Sequence, residues 1–128
     1  SESMNVVLWI VQGLLALMFF MAGTMKLTKP KNELREKIGD WVDPYKDITI
    51  KLIGLLELFG AIGIILPMAV NVFPILTPIA AIGLALTMVG AMKVHIQRKE
   101  NSKMATNVVL MLLALFVPIG RLDIVHII

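Results

Sequence analysis

Charged side chains are missing from long stretches of this 128-residue chain. No charge occurs between Val6 and Met25, and Glu57 carries the only one between Leu52 and Met92. About 20 consecutive apolar residues suffice for a helix that crosses a bilayer. The composition agrees, since 58% of the residues are hydrophobic and 16% are charged, against about 25% charged in soluble domains. The pattern predicts an all-α integral membrane protein.

Four membrane-spanning helices are predicted, because the apolar stretch 52–92 is too long for one helix. Three prolines and an asparagine cluster within 67–78, and proline interrupts a helix by lacking an N–H and clashing with the preceding turn. We assign residues 4–128 to one membrane domain, a four-helix bundle, and exclude residues 1–3 as an expected remnant of expression cloning. The predicted spans cover approximately residues 6–27, 48–66, 74–96 and 104–120.

Lys and Arg are unevenly distributed among the segments between the spans. Seven of the 12 lie in the first loop with its flanks, four lie around the third, and one follows the fourth span. The positive-inside rule places the first and third loops in the cytoplasm. We therefore expect the N- and C-termini outside and a multi-pass protein of the cell membrane, with the bacterial inner membrane as its location. Acidic residues are interspersed in the first loop, so no nucleic-acid partner is expected.

The chain contains no cysteine, which excludes disulfides, thiolate metal sites, iron–sulfur clusters and thiol redox chemistry. Its two histidines, His95 and His126, fall at opposite ends of the membrane in the predicted topology, so they form no paired-histidine haem site. We expect neither a metal nor a covalently bound cofactor. A redox role would then need electrons from a partner protein.

Glu57 lies within the second predicted span, about 13 Å from its start at Ile48 for a rise of about 1.5 Å per residue. An ionisable group at that depth is costly and normally faces protein or water. Lys26 ends the first span and His95 ends the third, both on the side of the first loop. We expect these three residues to line a ligand-binding or proton-linked pocket. The alternative is a structural ion pair of Lys26 with Glu57, with His95 at the membrane interface.

Small residues accompany the charged ones at helical spacing, which favours close helix packing. The predicted supporting face consists of Gly23, Gly54, Gly60 and Ala61. The inward face predicted for the first span is Gly13, Ala16, Phe20, Gly23 and Lys26. The corresponding face of the second span is Gly54, Glu57, Ala61 and Ile64, and that of the third is Ala81, Ala85, Met88, Ala91 or Met92, and His95. Arg121 and Asp123, just after the fourth span, are expected to close the other end of the bundle.

Several of these residues stand in recognisable motifs. The motifs are Ala22-Gly23 with Lys26-Leu27, Gly54-Leu55-Leu56-Glu57-Leu58-Phe59-Gly60-Ala61, Gly90-Ala91 before His95, and Gly120-Arg121. With them the chain resembles the DoxX-like family over nearly its whole length after Met4. The resemblance implies a four-helix membrane bundle. It also implies a partner of redox enzymes or an assembly factor, since the family takes its name from a subunit linked to a quinol oxidase system.

The first functional hypothesis is a binding subunit for a quinone, lipid or other lipophile in membrane redox or stress metabolism. Its partners would be membrane lipid and a redox enzyme or other membrane protein. The alternative is an assembly factor or chaperone for a larger membrane complex. A small proton-coupled transporter is less favoured, because that class carries its essential glutamate in the first helix. A lipid isomerase or hydrolase would need Glu57 and His95 as an acid–base pair. Catalysis and oligomeric state stay open, a dimer included.

Overall fold

The protein is an all-helical bundle in the computed structural model, which describes residues 2–124 and their side chains up to Leu122. Its helices are α1 Glu2–Thr28, α2 Lys31–Ile38, α3 Asp47–Gly63, α4 Leu66–Ala69, α5 Leu76–Gln97 and α6 Asn101–Ile124, and a 3₁₀ turn covers Asp40–Val42. Four segments are long and apolar enough to cross a membrane: α1, the stretch Asp47–Ala69, α5 and α6. The predicted four-helix membrane bundle is confirmed. The side on which the termini lie stays a prediction.

The four long helices form a ring of two helix pairs. α1 packs most extensively against α3, and α5 against α6, while α3 also contacts α5 and α1 contacts α6. Helices within a pair follow each other across the membrane, so they run antiparallel. We call the end that carries segments 29–46 and 98–100 the basic end, and the other one the opposite end.

Each long helix buries one narrow face. The buried residues of α1 are Leu8, Gln12, Leu15, Phe19, Gly23 and Lys26. Those of α3 are Ile50, Gly54, Glu57 and Ala61, a spacing of three and four that puts them on one side of the helix. Large apolar side chains such as Leu56, Phe59, Leu86 and Ile119 are exposed on the outer faces, where a membrane protein meets lipid.

The inward faces predicted for α3 and α5 are confirmed, and the one predicted for α1 is confirmed at Gly23 and Lys26 but wrong at Gly13 and Phe20. Phe19 is buried and Phe20 exposed, and Gly13 is exposed as well. The reason is Gln12, a fully buried amide whose hydrogen bonds require it to point inward. The face was predicted from the spacing of apolar and small residues, which carries no information about these hydrogen bonds.

The backbones of α1 and α3 come into direct contact near the basic end. A Cβ atom added to Gly23 would lie 2.6 Å from the carbonyl oxygen of Gly54. One added to Gly54 would lie 2.7 Å from Cβ of Lys26. No side chain larger than hydrogen fits between these helices, so the two glycines permit the close approach that small residues give membrane helices.

Contacts between the two helix pairs lie in the middle and at the opposite end. Gly60 on α3 packs against the Leu84 side chain on α5, and an added Cβ at Gly63 would lie 2.8 Å from Cβ of Ala80. Gly120 on α6 packs against Leu8 on α1. The central core consists of Leu15, Phe19, Ala61, Ile64, Ala81, Leu84, Ala85, Met88, Ala114 and Val117.

α3 ends at Gly63, before the predicted end at residue 66, and two buried side chains donate hydrogen bonds to the carbonyl groups at this end. Gln12 Nε2 donates to the Ile64 carbonyl at 2.7 Å, and Thr77 Oγ1 donates to the Gly63 carbonyl at 3.0 Å. A helix end leaves carbonyl groups without partners, and lipid supplies no donor. Because these donors come from α1 and α5, they also tie α3 to both neighbours.

Arg121 lies fully buried at the opposite end rather than at an interface. Its Nε donates to Gln12 Oε1 at 2.6 Å, its Nη1 donates to Asn5 Oδ1, and its guanidinium stands 5.1 Å from the Trp9 ring centre. The predicted closure by Arg121 thus runs through partners on α1. The Asp123 side chain and His126 lie outside the described residues.

The remaining helix ends differ from the prediction by a few residues. α5 begins at Leu76 instead of 74, and α6 runs from Asn101 to Ile124 instead of 104–120. The predicted bounds followed the apolar stretches, but backbone hydrogen bonding continues a helix beyond the apolar part. Pro78 is compatible with α5 because it lies in the first turn, where no intrahelical N–H bond is lost.

Replacing Gly54 by alanine is expected to destabilise the protein by about 1–3 kcal/mol, because the new methyl group overlaps α1 and forces the helices apart. The matched control is Gly13→Ala, an exposed helical glycine with no atom within 4 Å of an added Cβ. That change should be neutral or stabilise by up to about 1 kcal/mol through helix propensity. Thermal unfolding in detergent measures both; equal effects would contradict the close contact.

Candidate functional site

A cavity of about 440 Å³ lies between the two helix pairs at the basic end. All four long helices contribute to it, and so does the segment between α1 and α3. Most of its wall is apolar, including Met18, Phe19, Leu56, Met88 and Leu110. Its polar lining residues are Lys26, Trp41, Tyr45, Glu57, Thr87, His95 and Asn107. The size falls within the range of about 300–1,000 Å³ that is common for small-molecule sites.

Lys26 and Glu57 form an ion pair in the wall of this cavity. Their side chains are 10% and 4% exposed, and Nζ lies 2.7 Å from Oε1. The Gly23–Gly54 contact brings them together, since each charged residue follows its glycine by three positions on the same helix face. Lys26 Nζ thus lies at the distance of a charge-assisted hydrogen bond from Oε1, and the two carboxylate oxygens have further lone pairs that this contact does not use. The carboxylate is neutralised but keeps acceptor capacity toward the cavity.

His95 lines the same cavity from the end of α5. Its Nδ1 lies 3.0 Å from Glu100 Oε1. An ionised carboxylate can only accept, so Nδ1 carries a proton, and Nε2 is an acceptor in the neutral ring and a donor in the imidazolium. No described residue bonds Nε2, which is therefore free to meet a ligand.

Glu100 anchors a group of charged residues at the basic end. Arg98 Nε donates to its Oε1 at 3.0 Å, and Lys103 Nζ donates to its Oε2 at 3.1 Å. Arg98 also pairs with Asp40 in the first loop. The hydrogen bonds from His95 and Lys103, in that order of effect, lower the pKa of Glu100 to about 2. His95 is thereby held in place by a carboxylate that stays ionised at neutral pH.

Residues 31–45, which we call the cap, fold over the cavity at the basic end. Leu34, Val42 and Ile50 form a small buried core beneath the cap. Trp41 packs edge-on against both Tyr45 and His95, with ring centres 6.0 and 6.3 Å apart. The sequence predicts this segment only as the first loop between two spans. The structure adds a full helix and a 3₁₀ turn, because the apolar residues scattered among the charges all bury on one side.

Asn107 on α6 is a polar lining residue that the sequence analysis did not single out. It is 9% exposed, and its Nδ2 has no hydrogen-bond partner among the described residues. The sequence does contain an indication of this residue, because Asn107 is the only amide side chain in the predicted span 104–120. Trp41 and Tyr45 were not predicted as lining residues, because the sequence of the first loop does not indicate that it folds back over the cavity.

The structure brings Lys26, Glu57 and His95 to one cavity, while their role in ligand binding stays a prediction. Gly23 and Gly54 lie behind the ion pair, and the other two members of the predicted supporting face, Gly60 and Ala61, pack in the bundle interior. Arg121 lies at the opposite end, away from the cavity. Within the described residues, no group of three His, Cys, Asp or Glu side chains could hold a metal ion.

Acid is expected to weaken the contribution of Glu100 to stability. Its pKa lies below the ordinary value of 4.5, at about 2, so the stabilisation is complete above pH 4.5 and is lost as the pH falls toward 2. The difference in unfolding temperature between wild type and Glu100→Gln should shrink over that window. The control Glu36→Gln removes an exposed carboxylate without an ion pair to any described residue. A Glu100→Gln difference that is independent of pH would contradict the assignment.

Comparison with known proteins supports the expected relationship. A model of the DoxX-like family matches residues 10–117, which include the ion pair, His95, Asn107 and the cap. No curated protein and no solved structure matches the chain. With four apolar helices of membrane-spanning length and a family match over most of its sequence, the chain belongs to the DoxX-like family of multi-pass membrane proteins.

Proposed function

We propose that this protein binds a lipophile, such as a quinone or a lipid, as a subunit serving membrane redox or stress metabolism. The observation that carries the proposal is the cavity at the basic end, an apolar space of about 440 Å³ with a few polar groups converging on it. Sites of this kind hold an apolar body and orient it through its polar end. Membrane lipid and a membrane redox enzyme are the proposed partners, and no covalently bound cofactor is proposed.

The cavity is suited to a ligand that arrives from the bilayer. Three of its lining residues, Met18, Leu56 and Gly90, are exposed on the outer surface of the membrane-spanning helices. The cap covers the basic end with Trp41 and Tyr45. Lining residues that are exposed on the membrane-spanning helices and a cover on the loop side favour a molecule that is dissolved in the membrane over one that is dissolved in water.

The polar groups would meet the head of such a ligand. Glu57 and His95 each present an acceptor, and Lys26 keeps the site neutral by pairing with Glu57. We place the basic end in the cytoplasm of a bacterium, at the inner membrane, because the loops there hold most of the Lys and Arg. The head of the ligand would then lie in the cytoplasmic half of the bilayer.

Blocking the cavity should remove the ligand. Gly90 lines the cavity and is exposed, and an added Cβ meets no atom within 4 Å, so Gly90→Phe fills the opening without a backbone clash. Gly83 lies two turns earlier on α5, is equally exposed and open, and does not line the cavity. Mass spectrometry of protein purified in detergent after exposure to quinones and native lipid extract should show a molecule retained by wild type and Gly83→Phe and lost from Gly90→Phe. Equal retention by all three would overturn the proposal.

A double variant that lacks both charges of the ion pair tests the effect of the pair on ligand binding separately from its effect on stability. Glu57→Gln alone leaves Lys26 buried without its partner, which costs about 3–5 kcal/mol. The double variant Lys26→Met, Glu57→Gln leaves no unpaired charge and should melt within a few degrees of wild type. We expect it to lose the co-purifying lipophile in the same mass-spectrometric assay. If the double variant keeps that molecule, the pair is structural and only the apolar wall binds.

A further inference from the structure

Asn107 is a buried amide for which the protein alone offers no partner. Its side chain lines the cavity from α6, is 9% exposed, and leaves Nδ2 without an acceptor among the described residues. Buried side-chain amides in folded proteins are nearly always hydrogen-bonded, because an unmet donor costs free energy. Because Asn107 lines a ligand-sized apolar cavity, a ligand in that cavity can supply the missing partner after a small rotation of the amide.

Among the polar lining groups of the described residues, Asn107 is the one with a buried donor that has no partner; the Tyr45 hydroxyl also has no hydrogen bond there, but it belongs to a half-buried residue of the cap. Thr87 Oγ1 donates to the Leu84 carbonyl at 2.7 Å, and Trp41 Nε1 donates to the Ile38 carbonyl at 2.9 Å. Lys26 faces Glu57. Asn107 therefore differs from its neighbours in the cavity wall by having an unused N–H, and this difference assigns it a place in recognition.

We infer that Asn107 Nδ2 donates a hydrogen bond to an acceptor oxygen at the polar end of the ligand, and that this end is neutral. The inference rests on the proposed function, since it names the chemical class that the same cavity takes. A carbonyl oxygen is the simplest neutral group that meets the requirement. A lipophilic ketone, ester or quinone belongs to this class.

The neutrality of the ligand head follows from the charge balance of the site. Glu57 is neutralised by Lys26, and Glu100 is neutralised by Arg98 and Lys103 at the rim. Every ionised group described at the cavity thus has an opposite charge beside it. A carboxylate or ammonium head would enter the apolar space without a counter-ion, and burying an unpaired charge is strongly unfavourable.

The test uses Trp41 as a reporter, because its ring lines the cavity. Trp9, the second tryptophan, lies at the opposite end beside Arg121, and Trp9→Phe removes its fluorescence while keeping an aromatic ring there. Three brominated dodecyl probes that quench tryptophan are titrated into the purified protein in detergent: a methyl ketone, a carboxylate and the plain bromoalkane. We expect the ketone to bind about tenfold more tightly than the bromoalkane, as one hydrogen bond to an otherwise unmet donor would give.

Asn107→Leu should abolish the preference for the ketone and leave the affinity for the bromoalkane unchanged. Because it removes an unmet buried donor, the variant should melt no earlier than the parent protein, which separates recognition from folding. The control is Thr106→Val, a neighbouring exposed position on α6 whose hydroxyl donates to the Ser102 carbonyl. This control should keep the tenfold preference.

The outcomes distinguish this inference from the proposed function. A ketone preference that survives in Asn107→Leu, or a carboxylate that binds more tightly than the ketone, overturns the inference and leaves lipophile binding in place. If no probe quenches Trp41 in any variant, the inference and the proposed function fail together. Quenching that is lost in Gly90→Phe and kept in Gly83→Phe shows that the probes occupy the cavity.

Discussion

The direct contact of α1 with α3 at Gly23 and Gly54 determines how the basic end is built. It places Lys26 against Glu57, because each charged residue lies three positions after its glycine. With the pair formed, a carboxylate can remain deep among apolar helices without an isolated charge. The pair, His95 and the cap residues Trp41 and Tyr45 line one cavity.

The two ends of the bundle differ in how completely their buried polar side chains are hydrogen-bonded. At the opposite end, Gln12, Thr77 and Arg121 use their hydrogen-bonding groups on one another, on helix termini and on Asn5. Such a satisfied network fixes one arrangement of the helices. At the basic end, Asn107 Nδ2 has no hydrogen-bond partner among the described residues. Unmet polar groups of this kind are expected at functional sites, which is why the basic end carries the proposed one.

The sequence predicted the helices and the ion pair but not the neutral polar groups. Charge-free stretches reveal membrane spans, and a lone Glu57 inside one of them must face the bundle interior, so both were accessible from hydropathy. Gln12 and Asn107 interrupt no apolar stretch, since an uncharged amide hardly alters the mean hydropathy. Their importance depends on which partners reach them, and those partners are contributed by other helices. The inward position of Phe19 and the position of Asn107 at the cavity were not predicted for the same reason.

The pairing of sequential helices has a consequence for biosynthesis. Lys26 and Glu57 belong to the first helix pair, so both charges are made before α5 and α6 leave the ribosome. They can therefore enter the bilayer as a neutral hairpin instead of waiting, each unpaired, for the rest of the chain. Arg121 has its partners 109 and 116 residues earlier, on α1. The end that Arg121 closes must therefore be the last to assemble. The second hairpin, α5 with α6, then packs against the first, α1 with α3, which is already in the membrane.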